Sequence, residues 1–362
     1  MAGQAADQLV RAVGAVAPLR DEDLLGPDQP LRPYPPVHRW RYNGLVRGLL
    51  FGLLVLAVFV VAGLVLGVVL WLTGYTDIQT IDRAGRRWGN VMSIPFMVAA
   101  YLLLVCWIEQ RRPYELRLRG WAGMLGRGLA IGAVLQLACV AALAVAGAYR
   151  VQGLDLDFNP VWFVASAGFG AAITEEIVFR GVLYRILEGT FGTWAAVGTS
   201  GLVFGLVHLG NQQGTLQGGL AIALEAGLLF AALYALTRSL WLVMGVHFAW
   251  NVVQGPVLGI VVSGNPLDHR GYLRSTLTGP EWLTGGTFGM EASLVTVVLL
   301  SAVAVWLLVQ VHRRGLAVSP FWVRRRQLLA RSATAVPAQP GLDQAQPAAA
   351  PAQPAPEDGP SA

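Results

Sequence analysis

The chain contains no lysine; all 26 of its basic residues are arginine. It has two cysteines, and only 13% of its 362 residues carry charge. Each shortage excludes something. Soluble domains carry about 25% charged residues, so an ordinary soluble fold is excluded. Cys106 and Cys139 both sit in apolar runs, which rules out a disulfide framework and a zinc–thiolate cluster and leaves them as packing residues. Arginine without lysine reads as the codon bias of a GC-rich, bacterial genome. The net charge of +5 is therefore no sign of nucleic-acid binding. The first 40 residues lack the short apolar core and small-residue cleavage site of a signal peptide. No H-E-x-x-H occurs anywhere, so a zincin arrangement is excluded.

What the chain has in abundance is apolar sequence, 55% of all residues. Spanning the hydrocarbon takes roughly 20 mainly apolar residues. Eight stretches qualify, at about 46–72, 91–109, 128–148, 161–187, 194–210, 218–237, 240–262 and 291–311. The expected fold is all-α: a polytopic transmembrane helix bundle of about eight spans with a four-helix catalytic core. The expected layout is a disordered cytoplasmic segment at 1–44, three N-terminal helices within 45–150 and the four-helix core at 160–262. A final span at 291–311 precedes a Pro/Ala-rich tail at 332–362, which cannot bury a core and is expected to be disordered. Arginines collect before the first span and after the second, fourth, sixth and eighth. Basic residues favour cytoplasmic loops, so both termini are expected in the cytoplasm of a bacterial cytoplasmic membrane.

An ionisable side chain at mid-bilayer costs about 2.5–3.5 kcal/mol and marks a pathway or a site. Here such groups, with one neutral amide, cluster in four consecutive spans: Glu175, Glu176 and Arg180; His208; Glu225; His247 and Asn251. Residues four apart share a helix face, so Glu176 and Arg180 can pair while Glu175 points elsewhere with no local cation. That makes Glu175 the candidate for chemistry and Glu176 with Arg180 the candidates for support. The same spacing aligns Phe204 with His208, and His247 with Asn251. Phe204 is expected to pack against the site. Counted from the expected span ends at 1.5 Å per residue, Glu175 lies about 18 Å deep, His208 about 21 Å and His247 about 10 Å, so depth leaves convergence open. Glu225 reads as a helix-pairing or supporting group. Gly198, Gly201 and Gly205 are spaced for close helix approach.

Three segments carry a resemblance: "EEIVFR" from 175 fits E-E-x-x-x-R, "FGLVH" from 204 fits F-x-x-x-H, and "HFAWN" from 247 fits H-x-x-x-N. Alone each motif is weak; E-E-x-x-x-R is expected by chance about 0.02 times here and the others about 0.1–0.2 times. Ordered on successive membrane helices, they resemble the CPBP family of intramembrane proteases, which includes type II CaaX prenyl endopeptidases and bacterial Abi proteins. The resemblance covers about 160–262. It implies an intramembrane endopeptidase, CaaX-protease-like, hydrolysing a peptide bond of a membrane-associated protein or peptide within the lipid bilayer. It further implies Glu175 as the base that activates water, His208 as its assistant, and His247 and Asn251 as the second half of the site. Two chemistries stay open. Glu175, His208 and His247 could supply three ligands to Zn2+, with water as the fourth. Alternatively, Glu175 and His208 could deprotonate water directly while His247 and Asn251 donate to the oxyanion. Two other functions compete: a proton-coupled transporter using buried Glu and His, and a catalytically silent immunity or scaffold protein.

Overall fold

Long apolar runs fix most of the architecture, because a helix satisfies its backbone internally where water cannot. The computed structural model describes Gln8 and residues 44–334, apart from 75–76, 110–111 and 266–270. The expectations for 1–44 and for the tail beyond Thr334 lie outside the described residues, as do His38 and His269. Nine helices are labelled α1 to α9 below. α1 is Gly44–Leu72; α2 is Ile78–Leu102, continued by a π-helical turn, Leu103–Ile108; α3 is Trp121–Val145. α4 is Val161–Phe191, α5 Thr193–Gly210 and α6 Leu216–Thr237. α7 is Leu240–Val252, continued by the π-helical Val253–Val257, and α8 is Leu294–Arg313. A separate unit begins at Trp322 and contains nearly all of α9, Phe321–Thr334.

Among the described residues, seven helices are long and apolar enough to cross a membrane, namely α1, the Val91–Ile108 part of α2, α3, α4, α5, α6 and α8. The protein is a polytopic helical bundle. The eighth expected span, 240–262, is the exception. Its helix carries His247, Asn251, Gln254 and Pro256, which lower its apolarity, and it ends at Val257. The stretch 73–90, expected as a loop, is helical from Ile78. The chain also forms two strands not foreseen in an all-α reading. β1, Tyr149–Leu154, pairs antiparallel with β2, Leu273–Leu277, across more than a hundred residues of sequence.

α6 and α7 form the middle of the bundle: every residue from Leu229 to Thr237 is buried, as is nearly all of Leu240–Asn251. α1 lies outside, with Leu49, Leu53, Leu56 and Leu64 exposed. Glycines let the inner helices touch. A Cβ on Gly128 or Gly132 of α3 would fall 2.2 Å from the Leu242 carbonyl oxygen or 2.4 Å from that of Val246 on α7. Gly205 of α5 would meet the Gly219 carbonyl oxygen of α6 at 2.2 Å, and Gly201 also abuts α6, but Gly198 faces open space and has no packing role.

At one end of the bundle, Glu109 accepts from Arg47 at 3.2 Å and from Arg185 at 2.9 and 3.0 Å. At the ends of α4 and α6, Glu188 pairs with Arg238 and accepts from Thr193 Oγ1 at 2.7 Å. The β1–β2 pair follows α3 and α7 and therefore closes the opposite end.

Candidate active site

Glu175 and Glu176 end an α-helical turn, Ala171–Glu176, held between two π-helical segments of α4, Val164–Gly170 and Ile177–Tyr184. A π-turn inserts a residue and re-aims the side chains that follow, and such turns recur at functional sites. The two carboxylates diverge. Glu176 is fully buried; its Oε1 accepts from Arg180 Nη1 at 3.1 Å and from His247 Nδ1 at 2.9 Å. Glu175 is only partly buried, its Oε2 has no hydrogen-bond partner, and among the described residues it bonds to neither histidine. It lies within electrostatic reach of His247 and Arg180.

Arg180 is also buried. Its Nη2 donates to the Gly227 carbonyl of α6 at 3.2 Å, and its guanidinium lies 4.4 Å from the Phe204 ring centroid and 5.2 Å from that of Phe230. Phe204 thus packs at the centre: its ring is 5.0 Å from His208, 6.1 Å from His247 and 5.0 Å from Phe179.

His208 starts the last turn of α5, and its Nδ1 lies 2.7 Å from the Phe204 carbonyl oxygen. A carbonyl only accepts, so Nδ1 carries the proton and Nε2 of the neutral ring offers a lone pair. The carboxylate of Glu176 likewise accepts from the Nδ1–H of His247. Asn251, one turn on, donates from Nδ2 to the Ala167 carbonyl at 2.7 Å, inside the first π-segment of α4. That bond ties α7 to the helix bearing the carboxylates.

The depth count undervalued His247 because it placed residue 240 at the membrane edge. Leu240 is fully buried and Ser239, which caps α7, nearly so; the helix begins inside the protein and brings His247 to the level of Glu176. Glu176 is also more than Arg180's partner, since it holds a candidate histidine. Among the described residues no three His, Cys, Asp or Glu side chains group closely enough to hold a metal ion. Glu225 is fully buried in a π-turn of α6, and among the described residues neither carboxylate oxygen has a hydrogen-bond partner. Sequence reasoning passed over Glu291, which accepts from Trp250 Nε1 at 2.9 Å; no local pattern around it could have signalled the contact.

The segment that assembles this geometry matches a known family. Residues 157–253 fit the family of type II CAAX prenyl endopeptidases described as Rce1-like. Glu175, Glu176, His208, Glu225, His247 and Asn251 all lie within the matched stretch, and Glu291 lies outside it. A Bacillus subtilis (strain 168) protein named "Putative membrane peptidase YdiL" is 27% identical over 129 residues, which is 36% of this chain and 47% of that protein. The match thus spans about half the length of that relative. No solved structure matches the chain.

Proposed function

We propose that the protein is an intramembrane endopeptidase of the glutamate type that cleaves membrane-associated proteins or peptides. The observation that carries this reading is the division of labour on α4: Glu176 is consumed by Arg180 and His247, while Glu175 stays partly exposed with an unpartnered oxygen beside them. Glu175 takes a proton from water as its oxygen attacks the scissile carbonyl, and His208 Nε2 accepts from the same water. His247, with Glu176 as the counter-charge its doubly protonated ring needs, donates from Nε2 to the oxyanion. The Asn251 amide keeps one N–H beyond its bond to Ala167 for the same oxyanion. Glu175 then returns the proton to the leaving amine, so the residue ends as it began. Each of these steps uses only the chain's own side chains.

The Rce1-like match favours substrates that reach the site along the bilayer. Cleavage of a prenylated CAAX terminus is one substrate class to test, and unprenylated membrane peptides are the other. The protein belongs in the cytoplasmic membrane of a bacterium, its arginine-rich end and both termini facing the cytoplasm.

The test uses full-length protein in nanodiscs with both substrate classes. Wild type is expected to cleave at least one class, unaffected by 1,10-phenanthroline, while Glu175→Gln and His208→Gln do not. Cleavage that persists in Glu175→Gln would overturn the assignment. Proton-driven uptake without any cleavage would point to a transporter instead.

A further inference from the structure

Glu291 lies outside the Rce1-like stretch, in a single 3-10 turn, Met290–Ala292, just before α8. It is 1% exposed, yet both oxygens are engaged, and each contact leads toward the site. Oε1 accepts from Trp250 Nε1 at 2.9 Å and from Ser263 Oγ at 3.1 Å; Oε2 accepts from the Ser263 backbone N–H. Trp250 sits on α7 between His247 and Asn251, adjacent to the latter. Ser263 is held from its other side: its carbonyl accepts from Asn211 Nδ2 at 2.6 Å, and the Gly264 carbonyl accepts from Gln213 N–H at 2.9 Å. Asn211 follows the His208–Gly210 turn, and its N–H donates to the His208 carbonyl at 3.1 Å.

One carboxylate therefore joins the turn that carries His208 to the helix that carries His247 and Asn251. Ser263 adopts φ 49°, in the left-handed region. A non-glycine residue there costs about 1–2 kcal/mol and persists only where its surroundings over-determine it. Glu291 supplies that determination by accepting both the N–H and the O–H. Burial pushes its carboxyl above the usual carboxylate range, while the hydrogen bonds from Trp250 and Ser263 pull it back. A group so placed is costly unless its contacts matter.

We propose that Glu291 is a positioning residue of the active site, setting His208 against His247 and Asn251 through Trp250 on one side and Ser263 with Asn211 on the other. The proposal rests on the peptidase reading for its kinetic consequence, though not for its geometric one.

Glu291→Gln tests it at almost constant volume. The amide oxygen can still accept from Trp250, but the amide NH2 confronts the Ser263 N–H donor. In full-length protein in nanodiscs, kcat is expected to fall about 100-fold, the cost of a small misplacement of reacting groups. KM is expected to stay within about twofold, since substrate contacts are untouched. Histidine-selective NMR, assigned by single His→Gln variants, should show His208 and His247 ring signals displaced and those of His312 unmoved. A lowered thermal midpoint with kcat, KM and all histidine signals unchanged would mean a purely structural role and would overturn the proposal. If wild type cleaves neither substrate class, the peptidase reading fails and the histidine spectra alone decide. If Glu291→Gln does not fold, Trp250→Phe, which removes one donor, decides by the same readouts.

Discussion

Adjacent glutamates make unequal demands on their surroundings, and their substitutions should separate. Glu175→Gln removes only the group proposed to carry the proton, so kcat/KM should fall by about 10²–10⁴, the usual share of a general base. Its thermal midpoint should match wild type, because the lost oxygen has no partner to orphan. Glu176→Gln is expected to fail differently. It leaves the buried Arg180 and the His247 Nδ1–H facing a neutral amide in place of a carboxylate, and removing one partner of a buried pair costs about 3–5 kcal/mol. Thermal melts of the two variants side by side check this; equal midpoints would contradict the division of roles. Glu291 adds a pH dependence. Its carboxyl is raised from an ordinary 4.5, so the folded state holds that proton more tightly than the unfolded state does. The associated stability is present below about 4.5 and is lost as pH rises through the raised value. The difference in melting midpoint between wild type and Glu291→Gln should therefore change across that window and level off above it.

Among elements, the interrupted helices and the glycine seams decide where the site residues end up. α4 reads as one apolar run, yet two π-segments flank its carboxylates, and nothing in "FGAAITEEIVFRG" announces them. Within the first of them, Asn251 of α7 takes up the Ala167 carbonyl. The α5–α6 seam can be tested with a matched pair. Gly205→Ala drives a methyl to 2.2 Å from a backbone oxygen that cannot rotate away, whereas Gly198→Ala meets nothing within 4 Å. Gly205→Ala should cost about 1–3 kcal/mol as overpacking and should disturb His208, which follows on the same helix. Gly198→Ala should be silent in both thermal melts and histidine spectra. The three glycines looked alike in sequence, because spacing gives a helix face but not the neighbour that face will meet.

For the whole molecule, the matched core is less than the working unit. α3 precedes the Rce1-like stretch, yet Gly128 and Gly132 press on the backbone of α7. Glu109 on α2 gathers Arg47 of α1 and Arg185 of α4 into one charged cluster at the arginine-rich end. Glu109→Ala takes away the acceptor those arginines share, and a loss of about 3–5 kcal/mol is expected in nanodisc melts; a change below 1 kcal/mol would show that the cluster is solvated rather than structural. By itself the sequence determined the membrane class, most of the spans and the polar residues within them, because hydropathy is a local property and a charge inside an apolar run stands out. It also separated Glu175 from Glu176, since helical geometry alone puts Arg180 beneath only one of them. The tertiary structure decided what depends on contacts distant in sequence. His247 reaches Glu176 because α7 begins inside the protein, β1 finds β2 more than a hundred residues away, and Glu291 closes on Trp250 and Ser263 from a loop whose local sequence gives no sign of it.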